Sequence, residues 1–376
     1  MTTRRHVLSW LAAAPALGAC GGGGPDPAAA WRTPGAGETD PRRFSLAHAI
    51  LAPNPHNTQP WQVTFDGEDG VTLYCDLERR LPFTDPLDRQ ITIGCGAFVE
   101  LYRIAARSLG HACIVTPFPQ GAPGPRLDER PVAHIRFNPV ANAAADPLFD
   151  FITFRRTNRN VYDLERAPDD VALARAASAV GGFLGAAQWT TQPDRVAALR
   201  DLVWRAFDRE MHTAGALEET YQWLRIGRNA IAEHRDGLAI HGAMIPLFKA
   251  IGALDRDDFL DPDSTANTTA LRDWREKAET SMGFMWLSTP DDTPAARLSA
   301  GHAYARLNLA ATALGVAMHP WSQALQEYEE MADLYAEARE MLEADDNTLQ
   351  MLVRVGYAEP VEPSARRGVE AILRPA

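Results

Sequence analysis

The sequence predicts an α+β chain built from two related halves, on three grounds. Two stretches align without gaps at an offset of 205 residues: GAFVELYRIAARSLG (96–110) and GHAYARLNLAATALG (301–315). Each is followed by a short apolar segment and then a strand-like run, VAHIRF (132–137) in one half and MLVRVGYA (351–358) in the other. Apolar and polar residues alternate from Val63 to Phe65 and from Val71 to Cys75 around DGEDG, which spells a hairpin in the first half.

The paired stretches read as helices. In the second, Ala300, Ala303, Tyr304, Leu307, Ala311 and Leu314 recur at helical spacing and form one apolar face. Gly110 and Gly315 stand where a left-handed helix stop favours glycine, and the density of alanine implies close helix–helix approach. Between the halves, near Pro147–Phe151, the pattern restarts. A long helical stretch is expected from Arg195 to Ala303, interrupted at Pro246 and Pro262. Within it, DREMHTAGALEETYQWLRIGRNAIAEH (208–234) reads either as a lid or pocket wall or as packing helices facing solvent.

Of 376 residues, 46% are hydrophobic and 23% charged, as in ordinary globular proteins. The formal charge of −12 argues against nucleic acid as a partner, so any basic site must be local. The N-terminus stands apart from the fold. Arg4–Arg5, an apolar run to Leu17 and small residues before Cys20 read as an export signal over 1–19, too short to span a bilayer. Thr3–Leu8 resembles a twin-arginine signal, and Leu17-Gly18-Ala19-Cys20 resembles a lipobox, which implies a periplasmic or envelope protein lipid-anchored at Cys20. Residues 20–40 read as a flexible tether without a core, followed by halves at 41–148 and 149–376. Cys75, Cys95 and Cys113 cannot all pair and are not spaced as a metal knuckle; buried thiols are expected.

Two motifs carry polar chemistry. APNPHNTQPW (52–61) sets Asn54, Asn57 and Gln59 among Pro53, Pro55 and Pro60, so it is a stiff loop and not a helix interior. It reads as a turn launching a strand or as a mould for a planar, polar-edged ligand. FRRTNRNVY opens the second half with Arg155, Arg156 and Arg159 around Thr157; such a cluster either binds a compact anion, bidentately through guanidinium groups, or is a solvated helix end. Near the C-terminus, Arg366 and Arg367 add a second basic pair after the strand ending at Gly356–Tyr357.

Together these motifs resemble the nitroreductase superfamily. APNPHNTQPW is similar to its PSxxNxQPW loop and RRTNR to its RRSxR motif. LNLAATALGVAMHPWSQ (307–323) and VRVGYAEPVEPSARRGVEAIL (353–373) resemble its late helix, flavin-edge turn and C-terminal tail. The order is informative. The loop lies in the first half and RRTNR in the second, which resembles the Acg-like branch, whose chains look like two fused units forming an intramolecular pseudo-dimer. The resemblance implies an FMN-dependent oxidoreductase, with electrons passing from NAD(P)H or an envelope carrier to a quinone- or nitro-like acceptor; the rival is a protein that sequesters FMN without turnover. It further implies that Arg155, Arg156, Thr157 and Arg159, with Arg366 or Arg367, hold the phosphate and ribityl chain. Pro53, Asn54 and Asn57 are expected to approach the ring while Gln59 and Trp61 shape the loop. The turn His319–Gln323, with Pro320, Trp321 and Ser322 at its centre, is expected at the flavin edge. No metal and no protein nucleophile are expected, and a monomer with one FMN follows from the fusion. One departure is plain: Asn54 and Pro55 stand where the family has serines.

Overall fold

The computed structural model describes residues 26–140, 144–242, 256–344 and 346–374. The expected export signal, Cys20 and Pro246 lie outside them. The first half opens with α1 (Pro41–Ala49), whose N-cap Asp40 accepts from Arg42 N at 2.8 Å while Pro41 takes the first helical position. The proline-rich loop leads into β1 (Trp61–Asp66) and β2 (Gly70–Cys75), the hairpin expected from the alternation. Then come α2 (Arg89–Ser108), β3 (His111–Pro117) and β4 (Ala133–Pro139). The strands form one antiparallel sheet in the order β1-β2-β4-β3.

The second half begins with α3 (Asp170–Ser178) and β5 (Ala186–Thr190). Next are α4 (Pro193–Met211), α5 (Ala214–Gln222), β6 (Leu224–Ile226), α6 (Arg228–His234) and β7 (Leu238–Ile240). After α7 (Arg256–Leu260) and α8 (Thr265–Glu279), the chain forms β8 (Gly283–Thr289), α9 (Pro294–Ala313), β9 (Ala317–Pro320), α10 (Ala332–Met341) and β10 (Thr348–Gly356). The second sheet runs β5-β8-β10-β9, again all antiparallel, and β6 pairs with β7 in a separate parallel ribbon.

The two sheets therefore share one topology. In each, a central strand feeds a long helix, and the chain returns through an edge strand to pair beside the first. The halves differ at one place. Where β1 turns directly into β2, the second half inserts residues 191–282 between β5 and β8. The expected helical stretch from Arg195 to Ala303 is corrected here, because β8 lies inside it. GFMWLST is apolar on both faces, so it carries no alternation; insertion helices cover one side of the sheet and α9 the other, and every residue of β8 is buried.

The repeat has a physical centre. α2 and α9 cross where Gly96 meets Gly301; a Cβ on Gly96 would fall onto the carbonyl of Leu298, and one on Gly301 onto that of Ile93. Leu298 and Ile93 are themselves one repeat apart, so the crossing is two-fold in character. The larger core gathers around this pair and draws on both halves, from Trp61 and Phe98 to Met285 and Val353. A second core packs α4 and α10 under Phe284, Trp286 and Leu352.

The coreless tether expected over 20–40 is also corrected. Among its described residues, a 3-10 turn at Ala29–Trp31 buries Trp31 to 4% exposure. Pro27 O accepts from Arg366 N at 3.1 Å, and the Trp31 indole N–H donates to Ser364 O at 2.8 Å. Composition concealed this because the partners of Trp31 lie more than 120 residues away.

Candidate anion and cofactor site

The loop 52–60 is strained and closed on itself. Its turn at Pro55–Asn57 holds His56 at φ 47°, with Asn57 and Gln59 each at 53°, three left-handed residues that are not glycine. Side-chain amides hold that shape. Asn54 Oδ1 accepts from Gln59 N at 2.7 Å, and Asn54 Nδ2 donates to Ala52 O at 3.1 Å. Asn57 Nδ2 donates to Gly237 O at 3.2 Å and Ala365 O at 3.1 Å, while Gln59 Nε2 donates to Arg235 O at 2.9 Å. Gln59 Oε1 accepts from Arg367 N at 2.8 Å. The amides of Asn54 and Asn57, expected to face a ring, are thus committed to protein partners; they build the loop and bind the C-terminal tail to it. Pro53 is buried, and Gly94 leaves room for α2 beside Asn54, whose Cβ would lie 3.1 Å from a Cβ there.

The structure brings the two basic motifs together on this loop. Arg155, 2% exposed, donates from Nη2 to Leu51 O at 3.0 Å, and its Nε and Nη1 have no partner. Arg366, 4% exposed, donates from Nη1 to Asn57 Oδ1 at 2.6 Å and from Nη2 to Ala52 O at 3.2 Å; its Nε is unpartnered. Arg367 Nε is also unpartnered, with Asp76 no nearer than 3.9 Å. Arg156 is held by carbonyls, from Nη1 to Thr153 O at 2.9 Å and Arg155 O at 2.8 Å. Thr157 is half-buried beside them. Arg159 is exposed, and Tyr304, on the buried face of α9, lies within electrostatic reach of both Arg155 and Arg159.

Electrostatics report the missing counter-charge. Burial pushes Arg155 down to about 10, and repulsion from Arg156 adds to it. Arg366 is held well below its ordinary value by burial and then by Arg155 and Arg156. Arg367 falls to about 10, chiefly by burial. Arg155 and Arg367 remain cations at neutral pH. A buried cation cluster with orphaned N–H groups, balanced by Asp76 at 3.9 Å from Arg367 and by the field of Glu362 at Arg156, has the donor chemistry of an anion site.

The expected flavin-edge residues fare differently. Pro320 pairs with Val353 in the sheet, Trp321 is 1% exposed against Phe207 and Trp274, and Ser322 Oγ donates to Leu352 O at 3.1 Å. Trp321 and Ser322 face the second core rather than the arginines, because β9 ends there and turns inward. His319, the first residue of the expected turn, is held by Arg354, which the sequence did not single out. Arg354 donates from Nε to His319 Nδ1 at 3.0 Å, so the imidazole carries its proton on Nε2. Burial, then Arg354, Arg159 and Lys277, keep His319 neutral. The periodicity of the late helix assigns Tyr304 to the core, and there it is buried.

Two surface cavities lie elsewhere. One of about 340 Å³ lies beside Arg80, Arg126 and Arg225, each already paired with Asp88 or Asp236; another of about 470 Å³ lies beside Tyr221 and Ile226. Neither offers the unpaired cations of the arginine cluster. Among the described residues, no group of histidine, cysteine and carboxylate side chains could hold a metal ion.

Known proteins resemble the chain in the same terms. The profile of the Nitroreductase family matches residues 262–357, from just before the insertion's last helix, α8, through β10. A Mycobacterium tuberculosis protein named "Putative NAD(P)H nitroreductase" is 29% identical over 345 residues, covering 88% of this chain and 90% of its own. Another protein of that organism, bearing the same name with the designation acg, is 32% identical over 123 residues, 32% of this chain and 35% of its own. A crystal structure of an FMN-dependent nitroreductase from Mycobacterium smegmatis with NADPH aligns over 60% of this chain and 96% of its own, at 18% identity and a TM-score of 0.37, too low to carry anything over. The family profile, the relative matched along nearly its whole length and the motifs in family order are consistent with the nitroreductase superfamily and its Acg-like branch.

Proposed function

We propose that the chain binds FMN and acts as an oxidoreductase of nitroreductase type, passing electrons from a reduced donor through the flavin to a quinone- or nitro-like acceptor. One observation carries the cofactor: Arg155, Arg366 and Arg367 are buried cations with orphaned N–H groups, a donor set suited to a phosphate dianion. When bound, FMN supplies the hydride chemistry. The chain's own residues do the rest. Arg155 and the tail arginines bind the phosphate, and the amide-stapled loop, strained at His56, Asn57 and Gln59, gives the site its shape. His319 offers a neutral N–H because Arg354 occupies its other nitrogen. NAD(P)H as donor is supported by the relatives' names; export through a twin-arginine signal, with a lipid anchor at Cys20, favours an envelope carrier instead.

The clasp between the insertion and the loop favours the second reading, FMN sequestration. Gly237 N donates to Asn57 O at 3.1 Å and Gln59 reaches Arg235 O, so the insertion bears on the loop itself. Absorption spectra of purified protein decide among these. Flavin bands that bleach with NAD(P)H and return with a quinone or nitro compound support turnover. Bands that no donor bleaches indicate sequestration, and protein lacking flavin after expression with added riboflavin overturns both. Intact-mass analysis of the membrane fraction tests the anchor, which fails if the mature chain carries no lipid at Cys20.

A further inference from the structure

Trp31 stands in the arginine cluster although it comes from the N-terminal segment that composition marks as featureless. Its ring centroid lies 5.4 Å from the Arg155 guanidinium carbon, 4.7 Å from that of Arg156 and 5.0 Å from that of Arg366. All three are within the range where a cation is attracted to an aromatic quadrupole, and tryptophan is the best of the aromatic partners. The indole is 4% exposed, so these interactions occur largely out of water. It is also anchored. Its N–H donates to Ser364 O at 2.8 Å, and Pro27 O accepts from Arg366 N at 3.1 Å, so strap and tail are joined on both sides of the ring.

We propose that Trp31 is a positioning residue of the anion site, gathering Arg155, Arg156 and Arg366 around one indole and fixing the tail that bears Arg366. The inference rests on the phosphate reading above. The physical need is plain: three guanidiniums drawn together, with only the field of Glu362 acting on Arg156, repel one another. A neutral π face offsets part of that repulsion without competing as an anion, so the cations stay aimed and available. A carboxylate at the same place would hold them equally well but would occupy the site. The strap that follows the proposed lipid anchor is in consequence part of the cofactor site. Proteolytic trimming past Trp31 would weaken it.

The test uses the full mature chain, stripped of flavin, with Trp31→Ala and Trp31→Phe. FMN and riboflavin affinities are measured by flavin fluorescence quenching, and thermal midpoints are recorded with and without inorganic phosphate. Wild type is expected to prefer FMN over riboflavin and to be stabilised by phosphate. Trp31→Ala is expected to lose FMN affinity on the order of tenfold and most of the phosphate stabilisation, with riboflavin affinity little changed; Trp31→Phe restores most of both. A merely structural role would weaken FMN and riboflavin together, and that result overturns the proposal, as does an unchanged FMN-to-riboflavin ratio in Trp31→Ala. If wild type itself fails to discriminate FMN from riboflavin, the phosphate reading falls first and this inference with it.

Discussion

Six arginines are buried among the described residues, and they fall into contrasting sets. Arg89, in the first turn of α2, donates from Nε to Glu327 Oε1 at 2.9 Å and from Nη1 to Gln350 O at 2.8 Å. Arg297, near the start of α9, donates to both oxygens of Asp292 and to Leu87 O at 2.7 Å. Each reaches from its own helix into the opposite half and finds a carboxylate on the way. Arg155 and Arg366 are as deeply buried, yet keep N–H groups without partners. Arg354 lies between: it has no carboxylate, but neutral acceptors take all three of its nitrogens. Burial alone therefore does not mark a binding cation. An orphaned N–H does, because folding would have matched that group had the protein been meant to satisfy it alone.

The largest effect should come from unpairing a member of the first set. Glu327→Ala leaves Arg89 buried without its counter-charge, and breaking such a pair costs about 3–5 kcal/mol. Urea unfolding of apo-protein reads this directly. A loss under about 1 kcal/mol would mean that the carbonyls of Leu325 and Gln350 suffice for Arg89, and the contrast between the sets would lose its basis.

The second set should respond in the opposite way. Arg155→Met removes an uncompensated cation, so the apo-protein should unfold at the same urea concentration or higher. FMN affinity should fall roughly 10- to 150-fold, the loss of charge-assisted bonds worth about 1.5–3 kcal/mol. Arg366→Met should behave alike. Arg156→Met should lower FMN affinity only about threefold, a fraction of one such bond, since Arg156 is held by carbonyls. Equilibrium dialysis ranks the three, and equal FMN retention by Arg155→Met and wild type would remove the central assignment.

How much of this was legible in the sequence follows from the same contrast. The repeat was readable because helix periodicity and the small residues of a tight crossing leave a signature at fixed spacing, and Gly96 and Gly301 do meet. RRTNR and the Arg366–Arg367 tail stood out because cations were clustered in an acidic chain, and the fold does bring the two motifs to one loop. Pairings that depend on distant residues left no such trace. Nothing local in AAAWRTPG says that Trp31 packs between the second half's arginines and the tail. The amides of Asn54 and Asn57 were visible as residue types, but their partners at Ala365 and Gly237 were not, so groups that hold the loop read as groups that face a ligand. β8 was lost for a related reason: an apolar run buried on both faces has no period to detect.

The smallest effect concerns a further positive charge in the second set's surroundings. His56 sits in the strained loop, half-buried, with Nε2 3.4 Å from Thr220 Oγ1. Burial lowers it from 6.5 to about 4, and repulsion from Arg159 contributes. An unfolded chain takes up this proton as pH falls below about 6.5, whereas the folded chain resists until about 4. The unfolded state binds more protons across that window, so the group contributes full stability above it, and that contribution is lost as pH falls through it. A shift of this size sets an upper limit of about 3 kcal/mol, and partial exposure should reduce the observed effect to about 1 kcal/mol. His56→Gln should therefore flatten the stability profile of apo-protein between pH 6.5 and 4 while leaving it unchanged above pH 7. Saturating FMN should narrow the difference, because a bound dianion offsets the field of Arg159 and makes protonation of His56 less unfavourable. Parallel profiles for wild type and His56→Gln, with or without FMN, would show that the cluster's charge does not reach the loop. The arginines and the proline-rich segment would then be neighbours without forming one electrostatic site.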